Sequence, residues 1–321
     1  MAIEKTKRIT SIGGSALIEG IMMRGPKRTT VAVRVKENEI YTEDLAFKSL
    51  AGRFKIFRVP FIRGLGGLID SMRLSFKALS ISAEKAMEDV PQEEPSRFEK
   101  WIDKVFGDSF MKVLMVVATI LGVTLAIGLF FIFPTWLFNT VATHFFPSLY
   151  DAMVYRSVFE GVLRIVLFLL YVVLCSRMSD MKRVFQYHGA EHKTIFCYEN
   201  DEALTVENIR KYRRFHPRCG TSFMVIMLLL GIIIGLFIPI EEPVLRSAVK
   251  ILLLPVSCGI GYELIKLCGK YDNLATRIIA APGLWAQRIT TKEPDDSMLE
   301  VAIAAMKPVI PENGEDLIQK K

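Results

Sequence analysis

Residues 113–133 read VLMVVATILGVTLAIGLFFIF, 21 positions without a charged side chain, and Pro134 follows. A helix rises about 1.5 Å per residue, so this stretch matches the roughly 30 Å of a bilayer's hydrocarbon core. It is expected to cross a membrane and to end at the proline. Three more apolar blocks follow: Ser157 to Cys175, Cys219 to Ile240 and Ser247 to Leu267. The second carries Glu160 and Arg164, whose i,i+4 spacing lets them pair and snorkel near one end. The third has no charge. The fourth is the weakest, because Lys250, Glu263 and Lys266 trim it and Pro255 should kink it. Mean hydropathy is +0.32, too high for an ordinary soluble domain, while 23% of residues are charged and must sit outside these blocks. Disordered, collagen-like and disulfide-scaffold chains are excluded.

The charge distribution orients the spans. Lysine and arginine crowd residues 1–112 and the stretch from Arg177 to Arg218, whereas the links on either side hold Arg156 alone and Glu241-Glu242-Pro243. The positive-inside rule then places both termini and the 176–218 loop in the cytoplasm of a multi-pass plasma-membrane protein. The net charge of +7 suits anionic lipid at a basic cytoplasmic surface. No nucleic-acid-binding motif accompanies it, so no nucleic-acid partner is expected. A protein partner or a homo-oligomer fits the pattern. Five unpaired-looking cysteines argue against a disulfide framework. The first 30 residues lack a signal-type apolar core, so no cleaved signal is expected.

Around the spans, residues 1–96 read as a small cytoplasmic α+β region. Thr30–Val35 alternates and Ile40–Phe47 returns, which predicts a β-hairpin. Gly13-Gly14 and Gly25-Pro26 bracket a third apolar stretch, Ala16–Met23. A helix is expected from Leu65 to Met87, with Leu65, Leu68, Ile69, Met72, Phe76 and Leu79 on one face. That face suits either the membrane interface or the strands. Residues 97–112 read as an interfacial amphipathic helix. The fold class is an α-helical membrane protein: about four transmembrane helices over 113–267, the N-terminal region, and a cytoplasmic C-terminal tail over 268–321. That tail holds a short helix near Asp295–Met306 and a mobile last dozen residues.

Chemistry concentrates in one place. Of four histidines, His188, His192 and His216 all fall between the second and third apolar blocks. His188-Gly189-Ala190-Glu191-His192 is an H-x-x-E-H sequence, which on a helix puts both imidazoles on one face. Two such groups can bind a divalent transition metal, zinc above all, with Glu191 as general base. Three residues compete as third ligand: His216, Cys219 and Glu263. Arg24 or Arg218 would polarise the substrate. Glu19, in the same segment as Arg24, is a further ligand or base candidate. Cys219 beside His216 also reads as a nucleophile, though nothing in the sequence supplies an oxyanion hole. A closed shell of His188, His192, His216 and Cys219 would instead make the metal structural and the protein a scaffold, regulator or assembly factor.

The chain also resembles the YqhQ-like family of bacterial membrane proteins, which carry a domain of unknown function. The resemblance rests on residues 13–26 (GGSALIEGIMMRGP), on 187–193 (YHGAEHK) and on 216–222 (HPRCGTS). Pro282-Gly283-Leu284-Trp285, Thr290-Thr291 and Glu293-Pro294 add to it. It implies a membrane protein that is a metal-dependent enzyme, with no substrate attached.

Overall fold

The structure, a computed structural model, describes residues 6–36, 39–87, 109–149, 153–271 and 273–318. Most of the expected amphipathic helix at 97–112 lies outside them. Six strands are described: β1 (Ile9–Thr10), β2 (Gly13–Leu17), β3 (Gly20–Arg24), β4 (Thr29–Lys36), β5 (Glu39–Asp44) and β6 (Leu317–Ile318). The helices of the first half are α1 (Leu50–Arg53), α2 (Ile62–Met87), α3 (Ser109–Ile127), α4 (Phe133–Phe145) and α5 (Met153–Cys175). Those of the second half are α6 (Ser179–Glu199), α7 (Val206–Arg210), α8 (Gly220–Gly235), α9 (Pro243–Leu252), α10 (Leu254–Lys270), α11 (Leu274–Thr290) and α12 (Asp296–Met306). The chain divides into two compact units. One comprises residues 1–89, 168–230 and 254–321, the other residues 90–167 and 231–253.

In the first unit, β2 to β5 form an antiparallel sheet in chain order. The expected hairpin is there as β4 and β5. The third apolar stretch is a second hairpin, because Ile18-Glu19 turns between Leu17 and Gly20 with Glu19 at φ 48°. One sheet face meets Leu74 and Ala78 of α2. The other core joins Ile21, Met23 and Ala32 to Tyr187 and Ala190 of α6 and to Met298, Val301 and Ala305 of α12. Asp295 caps α12 by accepting from the Met298 N–H. The last dozen residues, expected to be mobile, include β6, which pairs with β1. Thr10 and Tyr198 both hydrogen-bond the buried Asp316, and this ties the two ends together.

Helix α2 packs through small and polar positions, with Gly64, Gly66, Asp70, Leu74, Ala78 and Ser82 buried. The apolar face, which suited either the membrane interface or the strands, stands outward: Met72 is 65% and Phe76 68% exposed. The close approach explains the choice, since the glycines let the helix lie against Tyr262 and Phe57, where any Cβ would collide.

Among the described residues two helices are long and apolar enough to cross a membrane, 116–145 and 153–175, and a third arises if α9 and α10 count as one broken span. Pro134 does not end the first. A π-helical turn over Gly128–Ile132 leads into α4, and the proline sits in its first turn, where a missing N–H costs nothing. The segment after it is therefore helix as far as Phe145. The block from Cys219 to Ile240 forms a shorter apolar helix of 16 residues. The fourth block breaks at Leu253, and Pro255 stands at the start of α10.

In the second unit Glu160 and Arg164 do approach, at 3.7 Å, but Glu160 is fully buried rather than snorkelling. Arg246 and Lys250 of α9 also pair with it, and Thr135 donates to it at 2.9 Å. Arg246 further donates to the carbonyls of Gly235, the last residue of α8, and of Ile240 in the link that follows it.

Candidate metal centre

Helix α6 carries the H-x-x-E-H sequence, and its seating orients each side chain. Gly189 lies against the chain at Lys292, whose N–H bonds the Phe185 carbonyl at 2.8 Å. His188 Nδ1–H donates to the Thr290 carbonyl at 2.8 Å, and His192 Nδ1–H donates to the Arg214 carbonyl at 2.5 Å. A carbonyl only accepts, so both rings carry their proton on Nδ1 and offer Nε2 as a lone-pair donor. Metal-binding histidines are held in this way by outer hydrogen bonds. Cys219, the residue before α8, brings its Sγ to 3.2 Å from His188 Nε2 and accepts the Thr221 N–H at 3.4 Å. One ligand atom from each of His188, His192 and Cys219 falls within 4.8 Å of the others.

Charge in this cluster is strongly coupled. Burial would push the Cys219 thiol up, but His188 and His192 outweigh it and hold the thiol well below its usual value. Burial would lower His188, yet the Cys219 thiolate and Glu191 bring it to about 9. A cation with a preference for nitrogen and sulfur can sit between Sγ and the two Nε2 atoms, and two imidazoles with one thiolate are a zinc donor set. Glu191 is buried beside them, its carboxyl raised by burial against the pull of both histidines. It accepts the Gly14 N–H at 3.0 Å.

The other expected site residues separate into two groups. Three stay close. His216 stacks near His192, ring centroids 5.5 Å apart, but its Nε2 faces Glu199 at 3.7 Å and Arg218 at 3.3 Å. Burial pushes His216 down to about 4, so it is neutral. Gln287 holds it in place by bonding both its N–H and its carbonyl. Arg218 is spent on Glu199 and on the Thr10 carbonyl. Two residues go elsewhere. Glu263 forms a two-pronged pair with Arg63, at 2.7 and 2.5 Å. Arg24 lies over the Phe47 ring at 5.3 Å. Glu19, its neighbour in sequence, pairs with Arg183 and accepts from Tyr187 Oη.

Sequence reasoning missed Glu199, Gly14 and the two orienting carbonyls. The only sequence signals for them were the Gly13-Gly14 pair and Thr290-Thr291, which sat among the quoted motifs without a role. Gly14 lines a cavity of about 840 Å³. Its wall includes β2 from Gly13 to Ala16, then His188, Glu191, His192, His216, Arg218 and Cys219, and Tyr262, Lys266 and Lys270 of α10.

Fold and site together define a mostly helical protein with span-sized apolar helices and a candidate His-His-Cys metal centre. The chain belongs to the family described as "Protein of unknown function (DUF1385)", whose model matches residues 59–312. It is 31% identical over 309 residues to the uncharacterized protein YqhQ of Bacillus subtilis (strain 168), covering 96% of this chain and 95% of that relative. No solved structure matches it.

Proposed function

We propose that this protein is a membrane-integral, metal-dependent hydrolase with its site on the cytoplasmic side. The observation that carries the reading is the donor set: His188 and His192, both turned by backbone carbonyls to present Nε2, and the Cys219 thiolate, all on one cavity with Glu191. Three protein donors leave a fourth position open, the arrangement of catalytic rather than structural zinc. A zinc ion held there would polarise a substrate oxygen and make water acidic enough to ionise near neutral pH. Glu191, anchored by the Gly14 N–H, takes the proton from the attacking water. Arg218 keeps its charge on Glu199 and serves to position the His216 segment rather than to bind substrate.

The membrane assignment rests on the helices 116–145 and 153–175, on the apolar α8 and on the broken pair α9–α10. Four crossings with the basic segments inside put both termini and α6 in the cytoplasm. The outward apolar face of α2, with Arg73 and Lys77 beside it, suits an interface with anionic lipid.

Metal content of the detergent-purified protein tests the site. One zinc per chain is expected, lost in His188→Ala, His192→Ala and Cys219→Ala and kept in Glu191→Gln. Glu191→Gln should also fail to complement a deletion strain. Absence of metal under non-stripping conditions refutes the reading. So does a fourth protein ligand seen by X-ray absorption, which would make the site structural.

A further inference from the structure

The cavity wall holds a feature that metal binding does not need: β2 is an edge strand. The sheet order leaves β3 as its one neighbour among the described residues. Leu17 pairs with Gly20, Ser15 with Met22 and Gly13 with Arg24 across the two-residue turn. In an antiparallel ladder alternate residues bond inward, so these three face β3, and Gly14 and Ala16 direct their N–H and C=O groups away from it. The Gly14 N–H shows the direction, because it reaches out to Glu191 at 3.0 Å. The Gly14 carbonyl and the Ala16 N–H point the same way, and both residues line the cavity beside His188, His192 and Cys219.

We infer that the substrate is an extended polypeptide segment that adds to the free edge of β2 as a further strand. This deepens the hydrolase reading and rests on it. With the Gly14 N–H held by Glu191, the Gly14 carbonyl and the Ala16 N–H remain at backbone spacing for another extended backbone to satisfy. An acyl chain laid along the same wall would leave those groups dry and unpaired, which is unfavourable. Gly13 and Gly14 fit the role, since glycine in a strand marks a place where another backbone comes close. A Cβ at Gly13 would meet nothing within 4 Å, so the sheet face at the start of β2 is uncrowded. Five residues of β2 run for about 17 Å, enough to hold about five substrate residues. A peptide bond lying opposite Gly14 is next to Glu191. Its hydrolysis forms a C–O bond from water to the carbonyl carbon and breaks the C–N bond. Glu191 accepts the proton from water and passes it to the leaving nitrogen, and nothing is oxidised or reduced.

The test uses the full-length, zinc-loaded protein in nanodiscs with two probes. One is an internally quenched decapeptide library, the other a short-chain umbelliferyl ester that makes no strand contacts. Ala16→Pro removes the outward N–H without touching the β3 ladder, and proline is tolerated on a strand edge. The wild type is expected to cut the library. Ala16→Pro should lose at least 10-fold in kcat/KM on peptides, through KM, with zinc content and ester hydrolysis unchanged. Gly13→Val, which adds bulk to the cavity wall at an uncrowded position, should behave alike and serves if the proline variant misfolds. Ester hydrolysis that depends on His188 without any peptide cleavage overturns the peptide inference and leaves the hydrolase reading standing. So does peptide cleavage by both variants at the wild-type rate. Absence of zinc, or of hydrolysis of either probe, overturns both.

Discussion

Gly189→Ala isolates the packing that sets the site. On an isolated helix the change is favourable by about 1 kcal/mol. Here the new Cβ would stand 2.0 Å from the Lys292 carbonyl oxygen, and ordinary contact begins at 3.4 Å. The obstacle is backbone, so no side chain can swing aside. Helix α6 and the segment after α11 must part by about 1.4 Å, an overpacking cost of about 1–3 kcal/mol. The Lys292 N–H to Phe185 bond lies across the same gap and is worth about 1 kcal/mol more. Together these exceed the helical gain, and a net loss of about 1–3 kcal/mol is expected. The same movement pulls Thr290 from His188 Nδ1, and loss of an orienting partner lowers metal affinity about 10–100-fold. Chemical denaturation followed by circular dichroism gives the first quantity, and chelator competition for zinc the second. Gly231→Ala is the control, because a Cβ there meets nothing within 4 Å, and it should be neutral or stabilising. If Gly189→Ala matched that control in both assays, the account of α6's seating would be wrong.

Two further outcomes follow from the buried charges. Glu160→Ala leaves Arg246 and Lys250 without their shared carboxylate in an apolar surrounding, and should cost about 3–5 kcal/mol. Adding Lys250→Met to that variant should recover part of the loss in a thermal-shift measurement, and no recovery would refute the pairing. Glu199 faces His216 and Arg218. Burial alone would raise its carboxyl, but the His216 hydrogen bond and the Arg218 charge hold it below the ordinary 4.5. The unfolded chain therefore binds a proton that the folded chain refuses, and this part of the stability is present above about pH 4.5 and lost as pH falls through the folded value. Unfolding free energies measured from pH 7 to 3 should show that acid limb flattened in Glu199→Gln. An unchanged limb would place the titration elsewhere.

Much of the fold was legible because it is local. Hydropathy over about 20 residues marked the apolar helices, alternation marked β4 and β5, and i,i+4 spacing put His188 and His192 on one face. Local rules failed where a neighbour distant in sequence decides. Pro134 looked like a stop, yet the π-turn before it turned the proline into the start of another helical segment. The apolar face of α2 suited the strands as well as a membrane interface, and periodicity could not choose; small residues on another face allowed a close approach to α10 and left the apolar face outward. Glu263 was as plausible a ligand as Cys219 until Arg63, 200 residues away in sequence, took it.

The sequence by itself determined the kind of protein this is and the chemistry it can bring: apolar helices of crossing length, basic segments between them, and a histidine pair with a glutamate. These depend on residue type and short spacing. Tertiary structure alone decided that Cys219, 31 residues from His188, joins the pair, that His216 turns to Glu199, and that the edge of β2 runs past Glu191. Such contacts form only when separate helices and strands pack, and no period along the chain encodes which side chains that packing brings within 4 Å.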